Sequence, residues 1–203
     1  MKKKTMPAFI ALLIICVAAG AMLAVVYNVT EQPIAKQQEE NLMNACRQML
    51  PAAETFNATE KDGFTYYEGL DAAGSCRGYV AINTVMGFGG EIELIVGSDL
   101  EGTLTGLQVG GANFSETAGL GAKTKEPAFT DQFAGKAYPV ELVKNGGEID
   151  AVTAATISST AVVNGVNDTM SKLADAGCIV LDGQPAAEEA ISEQPAESEQ
   201  AAQ

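Results

Sequence analysis

Asp150-Ala151-Val152-Thr153-Ala154-Ala155-Thr156-Ile157-Ser158-Ser159-Thr160 is the most informative stretch of this 203-residue chain. Two alanines separate Thr153 from Thr156, and a helical apolar pattern begins directly afterwards. Val162, Val163, Val166, Met170, Leu173 and Ala174 recur at steps of three and four, and Gly177 supplies a stop. This spacing predicts an amphipathic helix of about five turns whose start is crowded with hydroxyls. A helix start presents unpaired N–H groups and the positive end of the helix dipole. Thr156 or Ser158 therefore reads either as an ordinary N-cap or as part of an anion site.

The pattern Asp-x-x-Thr-Ala-Ala-Thr resembles the flavinylation motif of the FMN-binding domain family. That resemblance implies one FMN joined covalently to Thr156 through a phosphoester, with Thr153, Ala154, Ala155 and Ser158 around the attachment point. The family most often has Gly at the Ala154 position. Further upstream, Asn113 to Gly121 contains Glu116-Thr117-Ala118-Gly119-Leu120-Gly121. By itself this is a glycine-containing surface loop. Beside the first motif it resembles the family's second signature, with Ala118 in place of the usual Pro. The resemblance implies that Glu116, Thr117, Gly119, Leu120 and Gly121 approach the isoalloxazine ring, glycine allowing close backbone approach and Leu120 lying against its face.

Between residues 64 and 112 the pattern turns from helical to extended. Phe64 to Tyr67 and Gly78 to Thr84 read as strands. Ile92, Leu94 and Val96 alternate with Glu91, Glu93 and Gly97 as in a half-buried strand. Asp99-Leu100-Glu101-Gly102 then turns the chain into Thr103 to Val109. The glycines at 87, 89 and 90 lack the strand, spaced triplet and helix of a dinucleotide fingerprint. Ala128 to Ala134 is a short helix closed by Gly135, and Asn145-Gly146-Gly147 a turn. Phe88, Phe114, Phe129 and Phe133 read as core or as walls of a flavin pocket. The expected fold is α+β, an antiparallel sheet with flanking helices.

One transmembrane helix precedes that domain. Lys2, Lys3 and Lys4 stand before an uncharged run from Ala8 to Tyr27, long enough to cross a hydrocarbon core of about 30 Å. A cleaved signal peptide competes, but this run exceeds its usual core. The lysines favour a cytoplasmic N-terminus, with the rest of the chain extracytoplasmic. The expected organisation is a cytoplasmic tip at 1–7, an anchor at 8–27 and a juxtamembrane helix within 28–51. An FMN-binding domain at 52–182 and a disordered acidic tail at 183–203 complete it. Leu42, Met43, Cys46, Met49 and Leu50 form the apolar stripe of the juxtamembrane helix, which Pro51 ends. The tail is too poor in apolar residues to fold alone.

Composition narrows the chemistry. Twelve basic residues against 26 acidic give a net charge of −14, which argues against nucleic acid as a partner. There is no His, which excludes His-ligated haem and zinc and the Ser-His and Cys-His pairs. Cys46, Cys76 and Cys178 show no Cys-x-x-Cys spacing, so no iron–sulfur or zinc site is expected.

The order of tip, anchor, helix, strand meander with Gly87 to Gly97, the Glu116 loop, Phe129 to Lys136 and the Thr156 motif is similar to the G-subunit family of Rnf complexes. These are ion-translocating ferredoxin:NAD oxidoreductases. The resemblance implies an electron carrier in the cell membrane, flavinylated by a flavin transferase of the ApbE type and partnered by the other membrane subunits and lipid. Two alternatives share the motifs: a stand-alone anchored flavoprotein feeding an extracytoplasmic reductase, and a component like the C subunit of a sodium-pumping NADH:quinone reductase.

Overall fold

The computed structural model describes residues 8–61 and 63–181, so the expected tip and acidic tail lie outside the described residues. The chain divides into two units, residues 1–44 and 45–203. Helix α1 (Ala8–Met49) supplies the first and its last residues belong to the second; it includes a stretch of mean hydropathy 2.4. Phe9, Leu12, Leu13, Ile14, Ile15, Met22 and Leu23 are all exposed. This apolar stretch is exposed among the described residues, and the helix is long and apolar enough to cross a membrane.

The anchor and the juxtamembrane helix, expected as separate segments at 8–27 and within 28–51, are one continuous helix, α1, with Pro33 inside it. A proline inside a helix removes one N–H donor. Here the surrounding turns carry the helix across that gap, and Thr30 adds a bond from its hydroxyl to Val26 C=O (2.9 Å). The compact unit also begins earlier than position 52. Ala45, Cys46, Met49 and Leu50 are buried within it.

The second unit is built on a five-stranded antiparallel meander in the order β1-β2-β3-β4-β5. The strands are β1 (Thr55–Lys61), β2 (Phe64–Leu70), β3 (Cys76–Met86), β4 (Glu91–Ser98) and β5 (Leu104–Gly110). Aspartates shape two of the turns. Asp71 accepts from Ala73 and Ser75 N–H, and Asp99 from Glu101 and Thr103 N–H. β1 was not evident in the sequence. It is an edge strand with almost every residue exposed, so it lacks an apolar alternation.

The two faces of the sheet are covered differently. Ile92, Leu94 and Val96 point into the main core, where they meet α3 (Thr156–Asp175) through Val162, Val166, Met170 and Leu173. At Gly165 the helix backbone comes so close that an added methyl would lie 2.6 Å from Val85 Cγ1. Ile95 and Gly97 on the opposite face are buried too. β4 is thus covered on both faces along its second half, not half-buried as its alternation suggests.

The cover on that second face is the end of α1. Gly69, Gly78, Gly97 and Gly106, one from each of β2 to β5, make a platform for Met49 and Leu50. An added Cβ at these positions would meet Leu50 at 2.9 and 2.8 Å or Met49 at 2.8 and 3.1 Å. After β5, a short helix α2 (Pro127–Thr130) and adjoining single turns bring Phe129 and Phe133 into the core, with rings 5.5 Å apart edge to face.

Helix α3 ends as its glycine predicts. Gly177 adopts φ +79°, its N–H bonds Ala174 C=O and Cys178 N–H reaches Leu173 C=O, the paired bonds of a Schellman cap.

Candidate functional site

The site is assembled from three segments far apart in sequence. The first is the turn entering α3. Ala155 N–H bonds Val152 C=O (2.9 Å), which closes a turn with Thr153 and Ala154 at its centre. Ala154 takes φ +62°, and among the described residues it is the only non-glycine with positive φ. That is the conformation a type II turn requires at its third residue, where glycine is favoured. Ser159, fully buried, pins the turn from inside: its hydroxyl accepts from Val152 N–H and donates to Ala155 C=O, both at 3.0 Å.

Neither Thr156 nor Ser158 is an N-cap. Ala155 holds that position, and no side chain caps the helix. The first helical bond runs from Ser159 N–H to Ala155 C=O (3.0 Å), so the amides of Thr156, Ile157 and Ser158 precede it. Thr156 itself is exposed at the first helical position. An exposed hydroxyl over three uncapped amides suits a phosphate in both charge and direction.

The second segment is the Glu116 loop, and the third is the β3–β4 hairpin at Gly87 to Gly90. Glu116 is buried and joins all three. Its Oε2 accepts from the Ser158 hydroxyl (2.8 Å) and its Oε1 from Gly89 N–H (3.0 Å). Ser115 adds a bond from its hydroxyl to Gly89 C=O (2.9 Å). Gly87 and Gly121 flank the carboxylate so closely that a methyl on either would overlap it. Here glycine serves packing against Glu116.

These segments enclose an open cavity of about 350 Å³. Of the ten residues singled out from the sequence, eight line it: Glu116, Thr117, Leu120, Gly121, Ala154, Ala155, Thr156 and Ser158. Thr153 and Gly119 do not. Phe88 and Ile157 complete the wall, 70% and 59% exposed. Ile157 carries no signal in the apolar pattern of the sequence, because it is exposed on α3 outside the buried core stripe. Phe88 was one of four candidate aromatics. Phe129 and Phe133 are core, and Phe114 packs beneath Lys125, whose ammonium lies 5.4 Å from its ring.

A cavity of this size falls within the range of small-ligand sites, about 300–1,000 Å³. Exposed apolar side chains beside free amides fit a flavin, an apolar ring on a phosphate tail. A second cavity of about 400 Å³ lies between Lys136, Pro139, Glu141 and the turn at Gly146–Ile149. It is larger but holds none of the motif residues, and its rim carries the Lys136–Glu148 ion pair. Chemistry rather than volume selects the Thr156 cavity.

Comparison with known proteins identifies the family. Residues 87–171 match the FMN-binding domain family. Over 181 residues the chain is 36% identical to the G subunit of the ion-translocating oxidoreductase complex of Methanosarcina acetivorans, covering 83% of this chain and 94% of that protein. The chain belongs to the G-subunit family of ion-translocating Rnf oxidoreductase complexes. Two further members are each 32% identical. The protein from Clostridium ljungdahlii, named for a proton-translocating ferredoxin:NAD(+) oxidoreductase, covers 80% of this chain and 88% of its own length. That from Acetobacterium woodii, named for a Na(+)-translocating complex, covers 77% and 85%. Equal identity to members named for different ions leaves membership in the family silent on the ion.

The fold is also that of a solved structure, the C subunit of the Na(+)-translocating NADH-quinone reductase from Parabacteroides distasonis. It aligns with a TM-score of 0.50 at 17% identity, over 68% of this chain and 93% of that one.

Proposed function

We propose that this protein is the flavin-bearing electron carrier of an ion-translocating ferredoxin:NAD oxidoreductase. In this reading FMN is held covalently through a phosphoester to the Thr156 hydroxyl and works on the extracytoplasmic side of the cell membrane. One observation carries the reading: an exposed threonine at the first position of an uncapped helix, opening onto an apolar-walled cavity. Family membership and the match to the FMN-binding domain support it.

The residues divide the work. The amides of Thr156, Ile157 and Ser158 face the phosphate, and the helix dipole stabilises its charge by about 0.3–1 kcal/mol. Ala154 and the buried Ser159 hold the turn that presents Thr156 outward. Phe88, Leu120 and Ile157 offer apolar surface to a planar ring. When bound, the flavin supplies the electron-accepting and electron-donating chemistry, and no general acid or base is needed beside it. Among the described residues no Lys or Arg lines the cavity, so a free phosphate monoester meets no cation from them. A covalent bond supplies retention instead and sets the local flavin concentration at about the millimolar range or beyond. The lysines before the anchor Ala8–Tyr27 favour a cytoplasmic N-terminus, with the domain outside. The other subunits of the complex, the lipid bilayer and a flavin transferase of the ApbE type are its partners.

Intact mass tests the proposal. The chain, exported in a host with an active flavin transferase, gains the mass of FMN less water, and Thr156→Ala gains nothing. Equal gain in both moves the attachment elsewhere. Absence of gain in the parent, with the transferase active on a control protein, removes the covalent carrier.

A further inference from the structure

Among the described residues lining the cavity, Glu116 alone carries a formal charge. Both its oxygens are held, one by the hairpin through Gly89 N–H and one by α3 through the Ser158 hydroxyl. Gly87 and Gly121 pack directly against the carboxylate, and the two hydrogen bonds hold it in place. Ser158 stands two residues after Thr156, so this negative charge lies beside the helix start. Among the described residues Glu116 forms no ion pair, and the nearby Lys125 lies over Phe114 while Lys144 bonds the Thr160 hydroxyl (3.3 Å).

We infer that Glu116 is a fixed negative charge that lowers the reduction potential of the flavin; this rests on the flavin being carried by Thr156 within this cavity. An electron added to the ring enters the field of a carboxylate that the fold does not allow to withdraw. Coulomb repulsion across a half-enclosed, apolar-walled site is screened less than in bulk water. The reduced form is therefore disfavoured relative to the same site with a neutral side chain. A packing role alone would tolerate the isosteric amide with no electronic consequence.

The test uses the full chain in detergent, loaded by the flavin transferase. The parent is compared with Glu116→Gln, Glu116→Asp and Ser158→Ala. Intact mass first establishes that each carries FMN, and spectroelectrochemical titration then gives the midpoint potential. Glu116→Gln shifts the midpoint upward, a change of roughly fivefold or more in the oxidised-to-reduced ratio at the parent's midpoint. Glu116→Asp, which keeps the charge, stays near the parent. Ser158→Ala moves the potential downward, because the carboxylate loses a compensating donor.

A loaded Glu116→Gln protein with the parent's potential overturns the inference. So does a common shift in the Gln and Asp variants, which would signal packing. If Glu116→Gln fails to fold or load, the Ser158→Ala shift decides, and its absence overturns the idea. A parent that never gains FMN sinks the covalent reading itself, and mass separates that failure from the electrostatic one.

Discussion

Ala154→Gly is predicted to stabilise the protein. Ala154 sits at φ +62° at the third position of the turn before α3, where its Cβ is crowded by the backbone. An L-residue in this conformation costs roughly 1–2 kcal/mol, and glycine removes that cost. Against this, glycine gives the unfolded chain more freedom, worth about 0.4–1 kcal/mol. Central values leave the variant more stable by roughly 0.8 kcal/mol, a rise in Tm of about 2–3 °C for a domain of this size. Thermal unfolding of the flavin-free full chain in detergent, followed by circular dichroism, measures it. Ala154→Val serves as the opposing control, since a β-branched residue is worse still at positive φ. Its Tm falls. A glycine variant that melts at or below the parent would refute a left-handed turn at this position.

Gly165→Ala gains about 1 kcal/mol in helix propensity, yet its new methyl would press on Val85 and Leu94, and overpacking costs about 1–3 kcal/mol. A lower Tm is expected, and a higher one would mean the α3–sheet contact is looser than described. The Asp168 carboxyl is pushed up by burial, but hydrogen bonds from Lys172 and Asn83 and the ammonium's charge outweigh this and hold it below its ordinary 3.8. A depressed folded pKa contributes stability that is present above the unfolded value and lost as pH falls through the folded one. Asp168→Asn should therefore cost about 0.5 kcal/mol at pH 7, with the gap in Tm closing toward pH 3; a gap independent of pH would contradict the pairing. Cys46, buried near the end of α1, has its thiol raised to about 11 by burial. Brief iodoacetamide treatment at pH 8, read by mass spectrometry, should leave Cys46 unmodified until denaturant is added. Rapid native labelling would mean that the end of α1 does not stay on the sheet.

Local periodicity made much of the architecture legible. The stripe from Val162 to Leu173, the Gly177 stop and the alternation of Ile92, Leu94 and Val96 state which faces are apolar, and burial follows. β1 was illegible because Thr55 to Lys61 pairs only by backbone at an exposed edge. The double cover of β4 was illegible because it depends on Met49 and Leu50 meeting glycines from four strands, a coincidence of position without a local signature. Gly69, Gly78, Gly97 and Gly106 read individually as strand weakeners, and only together as a seat.

The same division runs through the site. Sequence alone determined that a threonine opens an amphipathic helix, that a glycine-bearing acidic loop precedes it, and that no histidine chemistry is available. Those properties belong to residues within one helical turn or one loop, where covalent spacing controls geometry. Tertiary structure decided that Ala155 rather than a hydroxyl occupies the N-cap, that Ala154 bears the left-handed turn, and that Phe88 and Ile157 close the wall. It also decided that Glu116 meets Ser158, 42 positions away, at 2.8 Å. Packing of α3 onto the sheet brings these groups together, and long-range packing arises from the whole core rather than from any one stretch of chain.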